Sequence, residues 1–131
     1  MKQGYKSFVS SEGMEILVGN QAESNDYLTF NLSLPQDFWL HVADNSGAHV
    51  IVRNQEKLDR LPKKTLQEAA SIAAYYSKSR NGGQVAVHYT QRKNLRKKKG
   101  SKAGRVILKE HKTIKVKPKS DLASMVSLLL K

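Results

Sequence analysis

Between Gln91 and Arg105 the chain places eight basic residues in fifteen positions with no acid: Arg92, Lys93, Arg96, Lys97, Lys98, Lys99, Lys102 and Arg105. Like charges this close repel one another, so the segment gains most when an anion arrives. A polyanion with regularly spaced phosphates is the natural candidate. Gly100 and Gly104 sit within the run. Glycine accepts positive φ and lets backbone N–H groups converge on an anion between the lysine side chains. The chemistry on offer is phosphate capture. The bland alternative is a solvated basic loop, and the rest of the chain argues against it.

The 131 residues carry a formal charge of +12, unevenly spread. Residues 1–56 hold three bases against seven acids, whereas residues 57–131 hold twenty against four. A compact fold can turn this split into one strongly positive face and one nearly neutral one. The basic run alternates with glycine and not with an amphipathic apolar stripe, which favours nucleic acid over a membrane surface. Lys78, Arg80 and Arg53 are candidates to extend the patch.

Other residues invite sharper readings. Trp39 is the single tryptophan, and core packing is its default role, with base stacking as the alternative. His41, His49 and His88 would come near one another if their strands pair. No spacing motif supports zinc, so no metal or cofactor is expected, and hydrogen bonding beside a nucleic-acid surface is the better use of His41 and His49. Tyr75 and Tyr76 cannot both face the core of one helix. Tyr76 lies on the apolar side, which leaves Tyr75 free to stack on a base or ribose. Catalysis is not expected. Gly100–Gly104 lacks the spacing of a phosphate-binding nucleotidase loop, and neither Asp37 with His41 nor Ser46 with His49 forms a nucleophile–base–orienter set.

The elements that must position these groups follow from pattern. The length fits one domain with a radius of gyration of about 14 Å. An apolar fraction of 39% and a charged fraction of 26% are ordinary for a globular core. There is no cysteine, which excludes disulfides and thiolate zinc sites and fits a reducing, cytoplasmic setting. No signal-like or membrane-length apolar run is seen, so no membrane partner is expected. Tyr5–Ser10 and Met14–Val18 read as a β-hairpin with Gly13 in its turn. Gly19–Asn25 is polar and turn-rich, about one helical turn, ahead of Tyr27–Leu32. Asp37–Val42 and Ala48–Arg53 read as strands around an Ala43–Gly47 turn. A helix is predicted from Thr65, with Glu68 completing a capping box, to about Arg80, where Asn81-Gly82-Gly83 ends it. Leu66, Ala69, Ala70, Ala73, Tyr76 and Ser77 would share its packing face. Val85–Thr90 alternates as a half-buried strand, and Val106–Lys109 with Thr113–Val116 reads as a second hairpin closed by Pro118. Asp121 opens an apolar tail with Leu122, Met125, Val126 and Leu129 on one helical side. The expected fold class is α+β: a single compact domain over 1–118, mostly antiparallel sheet with a main helix on one face, and a C-terminal helix over 119–131 docked on it.

Several strings occur in a fixed order: Ser10-Ser11-Glu12-Gly13 leading to Ile16-Leu17-Val18-Gly19, then Asn25-Asp26 and Asp37-Phe38-Trp39-Leu40-His41-Val42. Ser46-Gly47-Ala48-His49-Val50 follows, then Ala69-Ala70 through Tyr75-Tyr76-Ser77-Lys78-Ser79-Arg80, and Lys97-Lys98-Lys99-Gly100-Ser101-Lys102-Ala103-Gly104. Together they resemble the RNA-binding domain of NFACT proteins, the translation-associated factors of ribosome quality control, from about Tyr5 to Pro118. The resemblance implies a stand-alone RNA-binding α+β module with no catalytic chemistry of its own. Full-length relatives add an N-terminal domain and a long coiled coil and act on the large ribosomal subunit with a tRNA bound. These 131 residues contain neither part, so alanine tailing of stalled nascent chains does not carry over. The chain also departs from the family pattern. Gly19-Asn20-Gln21 stands where Gly-Arg-Asn is usual, and Lys98 and Ala103 replace two prolines.

The sequence therefore predicts an RNA-binding module for tRNA or ribosomal RNA. Phosphates would be held by the 91–105 run with Arg53, Lys78 and Arg80, and Trp39, His41, His49 and Tyr75 would supply stacking or directional hydrogen bonds. Two rivals stand beside it: a DNA-binding or general polyanion-binding protein, and an adaptor whose Leu122–Leu130 helix docks on a protein partner.

Overall fold

Period-two alternation in the strands gives one sheet two different apolar surfaces, and each needs its own cover. The computed structural model describes residues 4–97, 99–103 and 105–118. Six strands pair antiparallel in the order β1-β2-β4-β3-β5-β8. They are β1 (Tyr5–Val9), β2 (Glu15–Gly19), β3 (Phe38–Val42), β4 (Val50–Val52), β5 (Val85–Gln91) and β8 (Lys112–Val116). β6 (Leu95–Arg96) and β7 (Ile107–Leu108) form a separate two-stranded ribbon. The fold is the expected α+β class. The predicted helix over 119–131, including Leu122–Leu130, lies outside the described residues, as do Lys98 and Gly104.

One face of the sheet presents Phe8, Ile16, Val18, Phe38, Leu40, Val50, Val52 and Val87 to helix α2 (Lys63–Tyr75). Ala69, Ala70 and Ala73 are fully buried there, and their small side chains let the helix approach the strands closely. The other face presents Leu17, Trp39 and Ile51, covered by Leu28 and by Leu95 of β6. Leu28 belongs to a π-helical turn, Tyr27–Leu32, which continues the short helix α1 (Ala22–Asp26). The domain thus has three layers, with the sheet covered on both faces.

Three boundary expectations are corrected. Helix α2 begins at Lys63 after Pro62 and ends at Tyr75. Thr65 is therefore inside the first turn and not its cap. The capping groups come instead from the distant β1–β2 turn: the Thr65 N–H and hydroxyl both donate to Glu12 Oε1 at 2.7 Å, and Ser11 N–H donates to Glu68 Oε1 at 2.8 Å. A carboxylate at this position satisfies an orphan N–H and complements the helix dipole. Glu12→Ala is expected to cost about 1 kcal/mol in chemical denaturation, and Glu12→Gln to recover part of that.

The third correction concerns the predicted second hairpin. Ile107–Leu108 pairs back on Leu95–Arg96, while Lys112–Val116 pairs with β5. Val106 and Leu108 pack toward Trp39, whereas Ile114 and Val116 pack toward α2. The two segments bury on opposite faces of the sheet, so they cannot form one hairpin. Lys97, Lys99, Lys102 and Arg105 of the basic run consequently lie between the strands of a hairpin arm, β6–β7, laid over the Trp39 face.

Candidate nucleic-acid interface

The strings that end and restart the strands meet at one end of the sheet. Gly19 N–H donates to the His49 carbonyl at 3.0 Å, and His49 N–H donates to Asn25 Oδ1 at 3.0 Å. A Cβ on residue 19 would stand 2.1 Å from that same Asn25 oxygen, so glycine is required there. The β3–β4 turn is laced to the end of α2 by Ala48 N–H to the Tyr76 carbonyl (3.1 Å) and Lys78 N–H to the Ser46 carbonyl (3.0 Å). A Cβ on Gly47 would meet Ser77 Cβ at 2.8 Å. These contacts frame a groove of about 700 Å³. Its lining includes Asn20, Gln21, Asn45 and Ser46 with His41, Tyr75, Lys78, Arg80 and Arg105.

The cations proposed from sequence separate into two groups. Lys78, Arg80 and Arg105 are exposed and line the groove. Lys99 and Lys102 are exposed on the arm, and Lys93 and Arg96 at its base. Three others are engaged internally. Lys97 Nζ lies 3.1 and 3.0 Å from the Asp26 carboxylate oxygens and donates to the Lys102 carbonyl at 2.7 Å, tying the arm to α1. Arg92 donates through Nε to the Thr29 carbonyl, with its guanidinium 4.9 Å from the Phe30 ring centre. Arg53 pairs with buried Asp37 at 3.0 Å. It stands beside Glu12, Glu15 and Glu56 at the other end of the sheet, since Arg53 N–H bonds the Glu15 carbonyl where β2 begins. Arg53 therefore does not extend the basic patch.

The aromatic candidates separate as well. Trp39 is 2% exposed and His49 1%. Trp39 Nε1 donates to His49 Nδ1 at 3.1 Å, and Thr29 Oγ1 lies 2.8 Å from the same nitrogen. Indole only donates, so His49 Nδ1 accepts and the ring proton sits on Nε2. Both side chains serve the interior and present no ring to a ligand. Tyr75 lines the groove, but the Arg80 guanidinium already lies 4.0 Å over its ring. It is a seat for that arginine and not the open stacking surface expected. His41 is different. Half-buried, it lies parallel to Trp39 with centroids 5.7 Å apart at 12°, and edge-on to His49 at 5.3 Å. The sequence reading missed Asn20, Gln21, Asn45 and Ser46, although turn-forming strings beside two strand ends marked them.

His88 pairs with His41 across β3 and β5, bonds Thr113 Oγ1 through Nδ1 at 3.0 Å, and meets His111 at 4.3 Å. Burial pulls the His41 imidazole below its usual 6.5, against the opposing bonds of the Val42 and Gly47 backbone, and His88 adds to the lowering. Burial and then the neighbouring His111 lower His88, with Asp44 opposing. Both groups hold fewer protons folded than unfolded. Their stabilisation is present above pH 6.5 and is lost as pH falls through the lowered values. Thermal melts are therefore expected to drop below pH 6.5, and a His41→Gln, His88→Gln double variant to flatten that drop. Among the described residues no three His, Asp or Glu side chains are grouped to hold a metal ion.

Fold and charge define a small antiparallel α+β domain with a cationic groove at one end and carboxylates at the other. The chain belongs to the family of the NFACT protein RNA binding domain, which it matches over residues 5–110. It is 37% identical over 116 residues to the Rqc2 homolog RqcH of Bacillus subtilis, covering 88% of this chain and 20% of that protein. It is 31% identical over 113 residues to coiled-coil domain-containing protein 25 of Mus musculus, covering 84% of this chain and 54% of that one. A solved structure of the C-terminal part of the fibronectin/fibrinogen-binding protein from Streptococcus suis superposes with a TM-score of 0.89 at 30% identity, over 97% of this chain and 51% of that chain. The chain thus spans about a fifth of RqcH and about half of the other two. Among the described residues no helix is long and apolar enough to cross a membrane.

Proposed function

We propose that this domain holds tRNA or ribosomal RNA by its phosphates, in the groove and along the basic arm, without catalysing a reaction. The observation that carries the reading is the convergence of Lys78, Arg80 and Arg105 on one groove while the acids Glu12, Glu15 and Glu56 gather around Arg53 at the opposite end. The setting would be translation or ribosome quality control in the cytoplasm, by analogy with relatives. One of these is the ribosome quality control complex subunit NEMF homolog of Drosophila melanogaster, 33% identical over 70 residues, which are 53% of this chain and 7% of that protein. Contacts to phosphate position a nucleic acid but read little sequence, so the domain discriminates by charge and shape.

The test is a salt titration. If about five phosphates are neutralised, log K falls against log salt with a slope of about −3.5 on single strands, at roughly 0.7 per contact. Anisotropy titrations with folded RNA and duplex DNA at one salt concentration complete the test. A slope near zero sinks phosphate capture, and equal affinity for DNA makes the domain a general polyanion binder.

A further inference from the structure

We propose that the groove receives one unpaired nucleotide of the RNA, its base laid on His41 and its phosphates held by Lys78, Arg80 and Arg105. This rests on the phosphate-capture reading and adds to it what kind of RNA the site selects. The groove's volume of about 700 Å³ lies within the roughly 300–1,000 Å³ range of pockets that enclose small ligands. A nucleotide fits a volume of this size.

The His41 ring is what points to a base. His41 is a planar ring backed by the parallel Trp39 and braced edge-on by His49. Trp39 is itself immobilised by burial and by its bond to His49. The stack is built before any ligand arrives, so a base landing on it orders little protein. Unpaired bases are held by stacking on planar rings, histidine included, whereas base-paired RNA hides its ring faces and is recognised by shape. Cations alone would suit either form of RNA. Cations around a backed ring in a concave site suit an unstacked nucleotide. Asn20 and Gln21 also line the groove; their amide oxygens are held by the Ser24 hydroxyl and N–H, which leaves the amide N–H groups as donors to a base edge.

The experiment compares two RNAs with the same number of phosphates: a short duplex with single-stranded overhangs, and the same duplex with abasic overhang nucleotides. Base stacking on an aromatic ring supports at least about a fivefold preference for the base-bearing RNA. His41→Ala is expected to abolish that preference while leaving the salt slope unchanged, and His41→Phe to restore it. Equal binding of the two RNAs by the unaltered protein overturns the nucleotide site, and that comparison needs no variant that might fail to fold. In that case a steep salt slope still leaves phosphate capture standing. A preference that survives in a folded His41→Ala protein also overturns the assignment to His41. A flat salt slope removes the phosphate reading and with it the proposed phosphate clamp.

Discussion

Alanine at Lys78, Arg80 and Arg105 together lowers RNA affinity about 50-fold at 0.15 M salt and reduces the steepness of the salt dependence by about 2. Both figures follow from counterion release: each lost single-strand contact removes roughly 0.7 from the slope and about a factor of four in affinity at that salt concentration. All three side chains are exposed, so the melting temperature is expected to stay within a few degrees. Arg53→Ala is the informative contrast, because its charge faces Asp37 at the other end of the sheet. It is expected to lower stability and leave the salt slope alone. A triple variant with unaltered affinity would move the RNA site away from the groove. Replacing Lys97, Lys98 and Lys99 is a less direct test. Lys97 ties the arm to Asp26, so its loss displaces other cations as well as removing one.

Trp39→Ala is expected to have the largest effect on stability, about 3–5 kcal/mol, because a fully buried aromatic leaves a cavity the sheet cannot close. The loss falls on both layers of that face. Leu28 and Leu95 lose the ring they pack against, and His49 Nδ1 loses an N–H donor. The melting temperature should fall by more than about 10 °C for a domain of this size. Trp39→Phe keeps most of the packing but not the hydrogen bond, and should lie between the variant and the parent. Binding measured well below the melt tells the roles apart. A variant of parental stability that has lost RNA binding would return Trp39 to the ligand surface.

Local pattern was sufficient wherever the cause was local. Val85, Val87 and the intervening residues alternate because a strand places successive side chains on opposite faces, and β5 lies where that alternation runs. Gly13 marks the first hairpin for the same kind of reason, with φ at +87°. The ordered strings from Ser10 to Gly104 were enough to suggest the family. The structure shows what several of them do: Glu12 caps a helix and Ser11 ties its turn to Glu68 on that helix, while Gly19, Asn25, Gly47 and Ser77 hold one end of the sheet together.

The sequence by itself determined the six strands of the main sheet, the presence of the main helix, the charge asymmetry and the basic run. Tertiary structure alone decided which of those charges face solvent. Lys97 meets Asp26 across 71 residues, and Thr65 meets Glu12 across 53. No periodicity or composition encodes a pairing at such separation, because it depends on which sheet face each segment buries. Leu95, Val106 and Leu108 are drawn to the Trp39 face, and that carries the arm to α1 and brings Arg105 to the groove beside Lys78 and Arg80. Trp39 and His41 sit two apart on one strand, where the sequence assigned core packing to the first by default and hydrogen bonding to the second. Leu28 and Leu95 cover Trp39 and leave it buried, whereas His41 is half-buried and lines the groove.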